Sequence, residues 1–239
     1  MHAKLVRAPA AGAEAAICLP PEAEREPVAA IYVNGPAQEA MDLAEALCAL
    51  PRREREGLRP AALIALEPLD WNRDFSPWPE PGIRPGEDFA GGAAARLRLV
   101  ERAKAELEAR CPLLPEPENS GIFGYSLGGL MALYALCESR SFGLCGALSA
   151  SLWYEGFLDY LRERAPAPGA RVYLSLGKKE EKVRSPRYAR VGDGVRQAHG
   201  LLAERLGAEN VRLQWFDGGH GTEPARRMLE GLKWLLARP

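Results

Sequence analysis

A serine set between two spaced glycines, Gly124-Tyr125-Ser126-Leu127-Gly128, is the segment of this chain best suited to covalent chemistry. The apolar run Gly121-Ile122-Phe123 precedes it, and Gly129-Leu130-Met131-Ala132-Leu133-Tyr134-Ala135-Leu136, apolar and of helical length, follows. Strand, tight turn and helix in that order lift a hydroxyl above a sheet edge. They also aim the first N–H groups of the helix at the point where an oxyanion would develop. The bare motif is weakly specific in a chain with 24 glycines; its placement between strand and helix gives it weight. A serine hydroxyl is a poor nucleophile until a base takes its proton. Of three histidines, His2 lies at a terminus and His199 falls mid-helix in Arg196-Gln197-Ala198-His199-Gly200. His220 sits in Gly218-Gly219-His220-Gly221, between the last predicted strand and the last predicted helix. Glycines on both sides let that loop bend toward the serine, so His220 is the expected base.

The elements that must position these groups follow from periodicity. Segments 3–8 and 13–19 flank a Pro-Ala-Ala-Gly turn and predict an antiparallel hairpin. Strands are predicted at 28–33, 61–66, 143–150, 171–176 and 211–216, besides the one before Ser126, and helices at 37–50, 89–110, 155–164 and 191–206. A final helix starts at Thr222, with Pro224 in its first turn and its apolar face over 228–236. The stretch 67–88, rich in Pro and Trp, is long for a connector and is expected to carry function. Strands alternating with helices after an antiparallel start predict an α/β fold, a mostly parallel twisted sheet with helices on both faces. No repeat or linker divides residues 1–239, which are expected to form a single domain.

That layout resembles the α/β-hydrolase fold, and the resemblance implies where the remaining groups lie. The triad acid belongs after the strand that ends in Leu174-Ser175-Leu176-Gly177, where the chain continues Lys178-Lys179-Glu180-Glu181. An acid three residues past the glycine selects Glu180, with Glu181 the nearest competitor and Asp193 and Asp217 weaker ones. The order serine, acid, histidine agrees with this fold. The oxyanion hole is expected to use the Leu127 N–H and one from Asn34-Gly35-Pro36-Ala37. Proline has no N–H, which leaves Gly35, or else Ala37. Few residues separate Ser149 from Arg171, so no cap domain fits there and the site is expected to be open to bulky substrates.

Composition excludes other classes. The net charge is −1 and no basic stripe or polybasic segment argues for nucleic acid or an anionic membrane. Arg52-Arg53-Glu54-Arg55-Glu56, the longest charged cluster, mixes signs. No apolar run approaches the ~18 residues of a membrane span, and charge and proline interrupt the N-terminus before a signal-peptide core forms. Cys18, Cys48, Cys111, Cys137 and Cys145 are odd in number and lack C-x-x-C spacing. They predict reduced thiols in a cytoplasmic protein and no structural metal.

Four motifs together carry a resemblance to a known family. Asp70-Trp71-Asn72-Arg73-Asp74-Phe75-Ser76-Pro77-Trp78 resembles the Arg-Asp-Phe-(Ser/Thr)-Pro loop of bacterial esterases related to the enterochelin and salmochelin siderophore esterases and to esterase D. Ser149-Ala150-Ser151-Leu152-Trp153-Tyr154 resembles their segment after the strand that follows the nucleophile. The serine motif and the Gly-Gly-His turn complete the set in the family's order, over residue 28 to the C-terminus. The likeness is strongest to a branch of uncharacterised predicted hydrolases. It implies an ester hydrolase with Ser126 as nucleophile and His220 as base, working with Glu180 or, as in some siderophore esterases, as a serine–histidine pair. It also implies a small-molecule ester substrate and no cofactor. Arg73 is then expected to meet a substrate carboxylate or catecholate, Asp74 to hold its loop, and Trp71, Trp78 and Trp153 to form an aromatic wall. Acyl transfer or thioester hydrolysis on the same residues is the alternative chemistry, and a binding protein without activity the alternative class.

Overall fold

In the computed structural model, which describes residues 2–82, 86 and 88–238, a hairpin of β1 (Lys4–Ala10) and β2 (Ala13–Leu19) opens the chain. Next come β3 (Ala29–Asn34), α1 (Ala37–Ala49), α2 (Arg52–Glu56) and β4 (Ala61–Leu66). The one-turn α3 (Trp71–Asp74) and a ribbon of β5 (Pro79–Glu80) and β6 (Phe89–Ala90) lead to α4 (Ala93–Glu108). Then β7 (Ser120–Tyr125) runs through Ser126 into α5 (Leu127–Glu138), followed by β8 (Leu144–Leu148) and α6 (Phe157–Glu163). The last elements are β9 (Arg171–Gly177), α7 (Pro186–Ala189), α8 (Val191–Leu206), β10 (Val211–Phe216) and α9 (Pro224–Leu236).

Eight of these strands form one sheet in the order β1-β2-β4-β3-β7-β8-β9-β10. The pairs β1–β2 and β2–β4 are antiparallel and every other pair is parallel. Strands buried on both faces read as continuous apolar runs, and β3, β4, β7 and β8 are buried along their whole length. Alternate residues feed two cores. Ile122, Ala147 and Leu174 pack with Leu97, Leu130 and Leu202 of α4, α5 and α8 on one face. Phe123, Leu148 and Tyr173 pack with Leu43 of α1 and Met228 and Leu232 of α9 on the other. Because β3 and β7 to β10 run the same way, the loops after them open on one edge, where α/β folds bind ligands. Between β8 and β9 only α6 intervenes, so no cap domain is inserted there.

Three predicted boundaries shift, each at a backbone turn. The helix expected over 89–110 starts at Ala93, because Gly91 turns at φ 76° and Phe89–Ala90 pairs with Pro79–Glu80. The helix expected over 155–164 begins at Phe157, after Gly156 at φ 75°. The strand expected over 143–150 stops at Leu148, because Ser149 turns to φ 43°. Stretch 67–88 contains α3 and β5, and its positions 83–85 and 87 lie outside the described residues. No helix among the described residues is long and apolar enough to cross a membrane. All five cysteines are free and four are buried. Burial pushes the Cys18 thiol up to about 11 and the Cys137 thiol up to about 12, which makes them poor nucleophiles.

Candidate active site

Ser126 stands between β7 and α5 with φ 58° and ψ −122°. The tight turn that lifts the hydroxyl thus falls on the serine itself. Gly124 and Gly128 serve close approach instead. A Cβ on Gly124 would lie 2.5 Å from the Gly128 carbonyl carbon, and one on Gly128 would lie 2.2 Å from the Asn34 carbonyl oxygen. Backbone bonds lock the turn: Ser126 N–H donates to Leu148 O (2.9 Å), and its carbonyl accepts from Gly129, Leu130 and Ser151, each at 3.1 Å. Leu127 opens α5, where helical N–H groups lack partners within the helix, and it lines the cleft beside Ser126.

Three side chains predicted from sequence meet here. Ser126 Oγ lies 3.0 Å from His220 Nε2, and His220 Nδ1 lies 2.7 Å from Glu180 Oε2. Glu180 follows the end of β9 on a one-turn 3-10 helix and its side chain is 4% exposed. Its other oxygen, Oε1, accepts from Gly177 N–H (2.7 Å), Ser149 Oγ (2.8 Å) and Arg227 Nη1 (2.8 Å). Burial raises the Glu180 carboxyl, but hydrogen bonds from His220, Gly177 and Ser149 outweigh it and hold the carboxyl below its ordinary range. An ionised carboxylate only accepts, so His220 Nδ1 carries a proton and donates it to Glu180, and in the neutral ring Nε2 is the nitrogen that accepts from the serine hydroxyl.

The competing acids point elsewhere. Glu181 pairs with Arg196 (2.8 Å), as does Asp193 (3.3 Å), and Asp217 pairs in solvent with Lys178 (2.8 Å). His2 meets Glu45 (2.9 Å), far along the chain from the serine. Sequence reasoning missed two residues that hold this arrangement. Tyr125 OH donates to the His220 carbonyl (2.6 Å), and Arg227 reaches Tyr125 OH and Ser149 Oγ, both at 3.1 Å, besides Glu180. Within an amphipathic helix Arg227 reads as a surface charge; only its place next to Met228, at the edge of the apolar face, signalled otherwise.

A cleft of about 300 Å³ opens beside Ser126. Trp71, Phe89, Trp153, Tyr188, Val183 and Val191 give it apolar walls, and Asn72, Ser149 and Ser151 are its polar lining besides Ser126, Glu180 and His220. Trp153 is braced by Tyr188 (4.8 Å between centroids) and by Arg187 above its ring (5.1 Å), which also pairs with Glu80 (2.7 Å). Three expectations change. Trp78 packs against Phe157 and Tyr160, and its Nε1 donates to Glu155 O (3.1 Å), so it braces the loop and does not line the cleft. Arg73 is not at the cleft either: its guanidinium lies on Asp74 Oδ1 (2.9 Å), whose other oxygen accepts from Leu69 and Asp70 N–H (2.9 and 3.2 Å). Neither candidate for the second oxyanion donor lines the cleft. The Ala37 N–H is committed to Glu67 Oε2 (2.9 Å), and Gly35 is buried against Glu39.

With this geometry in hand, comparison with known proteins gives a consistent family. The model of the family described as Putative esterase matches residues 12–230. The "Uncharacterized protein YbbA" of Bacillus subtilis (strain 168) is 27% identical over 192 residues, 77% of each chain. The enterobactin esterase FES from Shigella flexneri superposes with a TM-score of 0.71 at 20% identity over 98% of this chain, which spans 59% of that protein's length. The IroE-like serine hydrolase from Shewanella oneidensis gives 0.80 at 16% identity, over 98% of this chain and 80% of its own. At these identities the superpositions bear on the fold, which is the α/β fold of those esterases.

Proposed function

The chain belongs to the Putative esterase family, and on that premise we propose that it is a serine hydrolase that cleaves carboxylic esters through an acyl-enzyme. The observation that carries this reading is the hydrogen-bonded series Ser126–His220–Glu180, at 3.0 and 2.7 Å, at the mouth of an aromatic cleft. Ser126 Oγ attacks the ester carbonyl carbon while His220 Nε2 takes its proton. Glu180 holds the imidazole in register and stabilises the imidazolium. The tetrahedral oxyanion lies against the Leu127 N–H. Its collapse expels the alcohol, which takes the proton from His220, and leaves the acyl group on Ser126. Water then gives a proton to His220 as it attacks the acyl carbon, and collapse of this second tetrahedral species releases the acid while His220 returns the proton to Ser126 Oγ. Residues 1–239 act as one domain.

The substrate class follows from the walls. Trp71, Phe89, Trp153 and Tyr188 suit an ester with a bulky, aromatic acyl group, and the uncapped edge admits a large alcohol. Proteins of this fold that are named for enterobactin and other siderophores make such esters the first set to try. The decisive experiment joins a fluorophosphonate probe to turnover of p-nitrophenyl acyl esters and of ferric and iron-free siderophores. Wild type is expected to label and turn over. Ser126→Ala should not label and should lose kcat by about 10⁴-fold or more, with an unchanged circular dichroism spectrum. Labelling that survives in Ser126→Ala would remove this serine as the nucleophile.

A further inference from the structure

Building on the hydrolase reading, we propose that Arg227 is a positioning residue that keeps His220 an unprotonated base to lower pH by neutralising the charge of Glu180. Arg227 is 0% exposed. From α9 its Nη1 reaches Glu180 Oε1 at 2.8 Å, and Ser149 Oγ and Tyr125 OH at 3.1 Å. Its Nη2 donates to the carbonyl of Gly219, next to His220, at 2.9 Å. One side chain therefore touches the acid, the strand residue before the nucleophile and the loop that carries the base. A buried ion pair is seldom more stable than well-packed apolar residues, so its stability alone gives no reason for an arginine here.

Charge gives that reason. A lone carboxylate 2.7 Å from the imidazole would favour the imidazolium, whose Nε2 already holds a proton and cannot take one from Ser126. With a guanidinium on Oε1 the acid still orients Nδ1–H through Oε2, but the pair as a whole is neutral. The other groups facing Glu180 carry no charge: the Ser149 hydroxyl, the Gly177 N–H and, through Arg227, the Tyr125 phenol. Burial pushes that phenol up, which keeps it protonated, and its ring lies 5.3 Å from the His220 ring. On the flanking loops Lys178 and Asp217 pair with each other at 2.8 Å, and Lys179 is exposed. Among the described residues Arg227 is thus the one buried cation in contact with the acid.

The test is the pH dependence of kcat/KM in Arg227→Met and Arg227→Lys. Removing the charge should move the acid limb up by about one pH unit and lower kcat on the plateau. Lysine, which keeps the charge but cannot span the same partners, should leave the limb in place and lower kcat only. A limb that stays put in Arg227→Met, or moves in Arg227→Lys, overturns the proposal, and Arg227→Gln, which also removes the charge, replaces the methionine variant if that one does not fold. NMR titration of the His220 ring protons reads the same effect without substrate. An unmoved titration in Arg227→Met sinks this proposal even if esters are hydrolysed. A moved one sustains it even if no ester tried is turned over, a result that would count against the hydrolase reading alone.

Discussion

Glu180 and Glu181 are adjacent on a single helical turn, yet one reaches His220 and the other Arg196. The register of that turn, three residues past Gly177, separates a buried partner of the histidine from a surface charge. Glu180→Gln should cut kcat by about 10²-fold or more, whereas Glu181→Gln should stay near wild type. The first change also strands the buried Arg227 without its counter-charge, so it should destabilise the protein by about 3 kcal/mol in urea unfolding at pH 7. The sign of its pH dependence follows from the carboxyl lying below its ordinary range in the folded state. Such a group contributes stability above its unfolded value and loses it as pH falls through the folded one. The gap between wild type and Glu180→Gln should therefore close in acid.

At the scale of elements, α3 shows how a short segment presents cleft residues. Asp70 caps it by accepting the Arg73 N–H at 3.0 Å, and Asp74 ties its start to Leu69 and Asp70. Below it, Arg96 of α4 holds the Leu66 and Glu67 carbonyls and lies over Phe75, 5.6 Å from the ring centroid. Asp74→Ala should loosen this turn and with it Trp71 and Asn72, which line the cleft. Steady-state kinetics should then show KM rising several-fold with a smaller change in kcat. How much could be read in advance divides along the same line. Buried parallel strands announce themselves as apolar runs, and Ser126, Glu180 and His220 were legible because each follows one of them at a set distance. Arg227 and Tyr125 are not, because their partners lie far away in sequence. No local spacing encodes such contacts. The start of α4 was misread because Gly91 and Gly92 interrupt a pattern whose apolar periodicity continues through them.

Taken whole, the molecule gathers its candidate site on one edge of one sheet, with Ser126, Ser149, Glu180 and His220 each in the loop after successive strands β7 to β10. The earlier part of the chain contributes Trp71, Asn72 and Phe89 to the wall. The rigidity of that sheet is what lets Ser126 persist at φ 58° and ψ −122°, a region that glycine occupies freely and other residues only under strain of about 1–3 kcal/mol. The proposed reactive serine is thus also a place where the fold would be better off without a side chain. Ser126→Gly should be inactive and yet melt above wild type, by about 1 kcal/mol after allowance for the extra freedom of its unfolded chain, as scanning calorimetry would record. Ser126→Ala should show no such gain. If that difference is found, selection for activity has held this protein below its own stability ceiling at this position.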